Sequence, residues 1–178
     1  RMTGNVTLEP IKGWQTNLML ATRRSKAHDK GYYTSEYFSQ KMENHTGYAY
    51  HSQNDSRTDN LEITSKYDTK FKNHRLDALV GYSYQYNVNE GFNANNYDFQ
   101  NDFFLYNNLG IGSALKKGKA GMGSYKNDNT LVGFFGRVSY GYANKYNALI
   151  SVRHEGSSKF GNNHKWGTFP SASLGWTI

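Results

Sequence analysis

Between Thr130 and Ile178 the side chains change character at every second residue, and a period of two admits β-strands and little else. One strand reads Val132, Phe134, Gly136, Val138, Tyr140 and Tyr142 on one side, with Leu131, Gly133, Phe135, Arg137, Ser139 and Gly141 on the other. After a tight turn at Ala143-Asn144-Lys145, a second strand sets Tyr146, Ala148, Ile150 and Val152 against Asn147, Leu149, Ser151, Arg153 and Glu155. A third sets Ala172, Leu174, Trp176 and Ile178 against Ser171, Ser173, Gly175 and Thr177. No charge falls on the apolar side of these spans, so each strand has one apolar and one polar face.

The pattern recurs upstream. Residues 2–9 and 14–23 alternate around a turn at Pro10-Ile11-Lys12-Gly13. Residues 59–71 put Leu61, Ile63, Ser65, Tyr67, Thr69 and Phe71 opposite Glu62, Lys66, Asp68 and Lys70. A turn at Lys72-Asn73-His74 leads to 75–87, where Leu76, Ala78, Val80, Tyr82, Tyr84 and Tyr86 oppose Arg75, Asp77, Leu79, Gly81, Ser83 and Gln85. The connections alternate between these tight turns and long polar stretches, 24–57, 88–129 and 156–167, which read as loops. A short strand is expected near 47–52, and a short helix or strand within 103–111.

Turn-below, loop-above asymmetry marks outer-membrane barrels. Aromatics at the strand ends agree with it. Trp14, Phe71, Tyr140, Tyr142 and Tyr146 lie near tight turns, and Tyr82, Tyr84 and Tyr86 lie toward a long stretch, as two headgroup-level girdles require. The alternating spans come close to the roughly 9–11 residues that carry a strand across a bilayer. The same alternation also fits a soluble β-sandwich, such as a surface adhesin or glycan-binding module.

Composition narrows the classes further. Abundant Gly (18) and Tyr (15) with only 2 Pro suit many strands and turns rather than a helical bundle. With no Cys, a disulfide framework and a thiolate metal site are impossible. No apolar run approaches the roughly 20 residues of a membrane helix. A mean hydropathy of −0.83 is compatible with a membrane barrel, because lumen-facing residues and long loops dilute the apolar face. The net charge of +7 is spread over loops and polar faces instead of forming a block, which argues against nucleic acid.

The last third carries an ordered set of motifs: Phe135-Gly136-Arg137, then Val152-Arg153-His154-Glu155-Gly156-Ser157-Ser158-Lys159-Phe160-Gly161, then Trp166-Gly167-Thr168-Phe169-Pro170-Ser171-Ala172-Ser173-Leu174-Gly175-Trp176. This combination resembles the barrel of SusC/RagA-type TonB-dependent outer-membrane transporters, which carry FGR, VR-x-DGSSRFG and WG-x-FPS-x-S-x-GW in that order. Glu155 stands where Asp is usual and Lys159 where Arg is usual; both keep the charge, and Lys loses the bidentate fork.

The resemblance implies an antiparallel up-and-down transmembrane β-barrel, with the seven strands here forming part of a barrel of roughly 22 strands. It implies residence in the outer membrane of a Bacteroidota-type bacterium, a SusD-like surface lipoprotein as lid, and energy from TonB. It also implies import of oligosaccharides or peptides, without cofactor or catalysis. Arg1 opens almost directly into a strand and Ile178 ends in one, and bacterial barrels have even strand numbers. The expectation is therefore that residues 1–178 are an internal piece of the barrel domain, with the plug and TonB box elsewhere.

Candidate sites follow from these readings. Arg137, Arg153, Glu155 and Lys159 are candidates for lumen or plug contact. Gly156, Ser157, Ser158, Phe160, Gly161, Trp166, Gly167, Phe169 and Pro170 form the family motif. Their structural reading is a rim loop whose glycines permit left-handed turns, with Trp166 and Phe169 as a hydrophobic plug. Tyr32, Tyr33, Tyr37, Phe92, Tyr97 and Phe99 are candidates for stacking on sugar rings or, equally, for packing a small loop core. Gly156-Ser157-Ser158 is not a nucleophile elbow, and Gly118–Gly123 lacks the order of a phosphate loop. The six His are scattered without metal-ligand spacing.

Overall fold

The computed structural model describes residues 1–161 and 164–177; Ile178 and two residues of the 156–167 stretch lie outside the described residues. Seven strands form one sheet in the order β1-β2-β3-β4-β5-β6-β7: β1 Met2–Ile11, β2 Trp14–Tyr33, β3 Tyr48–Phe71, β4 His74–Tyr97, β5 Gly121–Tyr142, β6 Tyr146–Ser157 and β7 Trp166–Trp176. Sequence neighbours are sheet neighbours throughout, an up-and-down meander. The β1–β2, β5–β6 and β6–β7 pairs are antiparallel. A single sheet is not the two packed sheets of a sandwich, so that alternative is set aside.

Three corrections to the sequence reading concern where strands end. The stretches 24–57 and 88–129 are largely strand: β2 to β5 run for 20, 24, 24 and 22 residues, about twice a bilayer crossing. Between them lie helix α1 Phe38–Met42 and three single 3-10 turns at Leu105–Asn107, Leu109–Ile111 and Leu115–Lys117. The third motif is strand rather than loop, because β7 begins at Trp166. Strand β1 continues through Pro10, where its register shifts between Leu8 and Ile11; a bulge tolerates a residue that has no N–H to donate.

The chain divides into two compact units. The first comprises Arg1–Arg23, Arg57–Asn87 and Asp128–Ile178. Its apolar face is uncovered: Ile63 is 41% exposed, Val80 62%, Ile150 64% and Leu174 89%. No large apolar side chain is fully buried among its described residues. Each tight turn is tied to its neighbour in the sheet by a backbone bond: Asp68 N–H in β3 donates to the Gly13 carbonyl, Ala143 N–H to Asn73 in the adjacent turn, and Thr177 N–H just past β7 to Lys145, each at 2.8 Å.

Aromatics form two bands on the exposed face. Near the turns, Tyr146 stacks on Trp176 and His74 packs on Tyr140 and Tyr142. Further along, Tyr82, Phe134, His154 and Trp166 form a run of ring contacts. Phe134 and Tyr142 are eight residues apart on β5, about 27 Å of strand, or about 20 Å of height at a barrel strand's tilt, close to the apolar band of an outer-membrane barrel.

The second unit, Arg24–Ser56 and Val88–Asn127, has a core of its own. Ala49, Phe99 and Ala114 are buried, and Asn96 beside them is fully satisfied. Its side-chain amide donates to the Leu109 and Gly112 carbonyls at 2.7 and 2.8 Å, and its oxygen accepts from Tyr97 N–H at 2.9 Å. That fixes the 3-10 segment to the end of β4.

Candidate functional site

The polar face of the first unit carries a ladder of charges. Each rung comes from the alternation: residues two apart on a strand share a face, and registered neighbours bring the partners within reach. Asp77 on β4 receives Lys66 from β3 at 2.9 Å and Arg137 from β5 at 3.3 Å. Arg153 bonds Glu155, two residues along β6, at 2.9 Å. The Arg153 guanidinium also lies 5.6 Å from the centre of the Phe135 ring, within cation–π range. Two glycines make this packing possible. A Cβ on Gly81 would stand 2.3 Å from the Phe135 ring, and one on Gly133 would stand 3.2 Å from Arg153 Nη2. Met19, Glu62, Ser83 and Gln85 complete a cavity of ≈ 220 Å³ around Phe135 and Arg153.

The motif residues have a structural account. Gly156 pairs with Trp166 across β6 and β7, and a Cβ there would meet the indole at 2.7 Å. Thr130 N–H donates to Ser158 Oγ, while Ser158 N–H donates to the Thr130 carbonyl, both at 2.9 Å, so the turn is locked to β5. Ser157 N–H bonds the Lys165 carbonyl at 2.9 Å, and its Oγ accepts from Lys159 N–H at 3.3 Å. Phe160 and Gly161 follow on the exposed turn. Pro170 pairs with Val152 inside β7. Trp166 and Phe169 do not come together as a plug. Trp166 stacks on His154, whereas Phe169 sits an odd number of residues away, and its ring lies over Gly167.

Of the lumen candidates, Arg137, Arg153 and Glu155 share the polar face; Lys159 lies apart on the exposed turn. Sequence reasoning did not single out Asp77 and Lys66 as the partners of Arg137. The place of Lys66, Asp77 and Arg137 on the charged side of three successive strands was the signal that could have found them.

In the second unit the aromatic candidates separate. Phe99 is 3% exposed and meets Tyr32 edge-on at 5.5 Å, so it is a core residue and presents no face. The Tyr32 hydroxyl donates to Asp102 at 2.7 Å, and its pKa is pushed far up, first by burial and then by that bond. Tyr33, Tyr37, Tyr48, Tyr50 and Tyr97 form a chain of ring contacts. The exposed members of the candidate set are Tyr33, Tyr37 and Phe92. His45 Nδ1 lies 2.9 Å from Asp98, which also accepts from Thr46 N–H. The His45 bond, with help from Thr46 and the charges of His45 and Lys117, holds the Asp98 carboxyl below its usual range despite partial burial. Among the described residues no three His, Asp or Glu converge as a metal site.

Comparison with known proteins gives a consistent picture. No family model matches the chain. It is 39% identical over 112 residues to TonB-dependent receptor P3 of Formosa agariphila, covering 63% of this chain and 11% of that protein. It is 47% identical over 55 residues to TonB-dependent receptor SusC of Bacteroides thetaiotaomicron, covering 31% of this chain and 6% of that protein. A solved structure of the RagAB peptide transporter superposes on 97% of this chain and 19% of the matched chain, with a TM-score of 0.82 at 20% identity. The same importer in an open-open state gives a TM-score of 0.82 over 96% of this chain and 18% of the matched one. The chain thus spans about a tenth of the first curated relative it matches.

Proposed function

We propose, from the premise that this chain belongs to the SusC/RagA-type TonB-dependent receptors of the outer membrane, that it forms part of the wall of an importer. The observation that carries this reading is the two-sidedness of the first unit. A face of uncovered Ile, Val, Leu and aromatic side chains lies opposite a face of paired charges. Such a sheet suits hydrocarbon on one side and a water-filled passage on the other. The tight turns are then periplasmic, and the longer connections are extracellular.

The cargo on this reading is an oligosaccharide or a peptide. The related structures are described as a peptide transporter, which favours peptide. A SusD-like lipoprotein would cover the extracellular side, and TonB would act through parts of the protein outside residues 1–178. Arg137, Arg153 and Glu155 face the passage and contact the plug or the cargo, with Lys159 at the rim. Tyr33, Tyr37 and Phe92 offer the stacking faces. No covalent chemistry is assigned.

Arg153→Ala in the full-length protein tests the wall. Uptake is expected to fall while the amount of heat-modifiable folded barrel in the outer membrane stays the same. Normal uptake in that variant removes the functional role of Arg153 and leaves it a packing residue on Phe135.

A further inference from the structure

Two kinds of strand pair alternate in the sheet. Tight turns join β1 to β2, β3 to β4 and β5 to β6, whereas residues 34–47, 98–120 and 158–165 join β2 to β3, β4 to β5 and β6 to β7. A turn of fixed length sets the register of the pair it closes. Ile11 accordingly lies opposite Trp14, and Tyr142 opposite Tyr146. A long connection imposes no such limit, so the other pairs take their register from elsewhere.

Aromatic rings laid on glycines fall where that need is. Tyr50 of β3 covers Gly31 of β2, Phe135 and Tyr125 of β5 cover Gly81 and Gly91 of β4, and Trp166 of β7 covers Gly156 of β6. All four contacts cross a pair joined by a long connection. Gly81, Gly91 and Gly156 each have a strand on either side, and the ring comes in every case from the strand across the long connection. In the pairs closed by tight turns, Gly4 meets nothing within 4 Å and Gly141 meets Asn147 rather than a ring.

Such a seat accepts one register. A Cβ at Gly31, Gly91 or Gly156 would stand 2.5, 2.5 or 2.7 Å from the ring laid over it, and one at Gly81 would stand nearer still. The smallest slip that keeps every side chain on its own face is two residues. It would move Phe135 from Gly81 onto Leu79 or Ser83, and Trp166 from Gly156 onto His154 or past the end of β6. A Cβ would then fill the seat, or the seat would be lost. The pairing of β4 with β5 also sets Arg137 on Asp77 at 3.3 Å, so the seat at Gly81 holds that rung of the charge ladder in place.

We propose that these ring-on-glycine seats set the register of the strand pairs that long connections leave open, as the tight turns set it for the rest. The device concerns pairing within the sheet and does not depend on what the wall conducts.

The test is disulfide trapping with copper phenanthroline on full-length, otherwise cysteine-free receptor in its outer membrane. Ile150→Cys/Ala172→Cys reports the native register of β6 and β7, because these residues lie opposite each other. Ile150→Cys/Leu174→Cys and Ala148→Cys/Ala172→Cys report slips of two residues in either direction. With the seat intact, the native pair should trap at least tenfold more than either slipped pair. Trp166→Ala is expected to raise the slipped-to-native ratio at least fivefold. The milder Gly156→Ala, which keeps the ring and fills its seat, should raise it severalfold and carries the test if Trp166→Ala does not assemble. The exchange Gly156→Trp/Trp166→Gly seats a ring from the opposite strand and should return the ratio toward its starting value. The same comparison across β5 and β6, with Val138→Cys/Ile150→Cys as the native pair and Val138→Cys/Val152→Cys as the slipped one, should not move in any of these variants. An unchanged β6–β7 ratio in the folded variants overturns the proposal, and so does an equal rise across β5 and β6, which would mean a general loosening of the sheet. A folded exchange variant that slips as much as Trp166→Ala assigns the effect to the stacking of Trp166 on His154 and overturns the glycine seat.

Discussion

The two units bury their apolar surface in opposite ways. In the first, Ile150 and Leu174 stand exposed on a one-layer sheet, and paired charges lie on the other face. In the second, Phe99, Ala49 and Ala114 are buried, and a fully satisfied Asn96 sits among them. The difference teaches where each unit finds its apolar solvent. A sheet with hydrocarbon against it needs no second layer, whereas a segment in water must build a core, however small.

The comparison breaks most readily at Phe99. Phe99→Ala is expected to cost about 3 kcal/mol of local stability in the second unit, seen as faster amide exchange across residues 98–120. Barrel assembly should be unaffected; a variant that fails to assemble would mean the two units do not fold on separate terms.

Ile150→Arg attacks the first unit. An arginine on a lipid-facing strand near mid-bilayer costs about 2–4 kcal/mol, so the yield of folded protein in the outer membrane should drop. Wild-type yield would show that this face does not meet lipid.

Gly156→Ala forces a methyl to within 2.7 Å of the Trp166 ring, and overpacking of this kind costs about 1–3 kcal/mol. Gly4→Ala, where nothing lies within 4 Å, is the control that should be silent.

Acid sharpens the contrast. The folded Asp98 carboxyl titrates below its unfolded value, so its contribution is complete above about pH 4 and fades as pH falls through the lowered folded pKa. Thr46 and Phe99 amides should therefore lose protection below about pH 4, and Asp98→Asn should flatten that dependence. The Tyr32 phenol has the opposite sign. Its raised pKa contributes below about pH 10 and is lost as pH rises toward the folded value.

The smallest effect belongs to a turn. Ala143 has φ 53°, a left-handed conformation that a Cβ disfavours, so Ala143→Gly is expected to stabilise the β5–β6 turn by about 0.5 kcal/mol. Thermal melting of the refolded receptor would register it.

Legibility in the sequence followed the solvent. Where one face is apolar and the other charged, the period of two was plain, and strands and tight turns could be read directly. From residue 24 to 30 every residue is exposed, and Arg24-Ser25-Lys26-Ala27-His28-Asp29-Lys30 shows no apolar side at all. That run is nevertheless strand, supported by cross-strand pairs such as Lys26 with Asp55 at 3.3 Å. A loop and a strand wetted on both sides look alike in composition. The aromatic candidates were hidden for a related reason: the sequence marks Phe99 and Phe92 equally, and only packing separates a core ring from an exposed one.

The sequence alone determined which side chains share a face, where the tight turns fall and which family's motifs the chain carries, because a two-residue period and a turn are local properties of the backbone. Register, and therefore which residues meet across strands, came only with the tertiary structure. The rings laid over Gly31, Gly81, Gly91 and Gly156 from Tyr50, Phe135, Tyr125 and Trp166 depend on it. So does the convergence of Lys66 and Arg137 on Asp77. Both arise from hydrogen-bonded pairing between strands, and in such pairing a slip of one residue would turn every side chain to the other face.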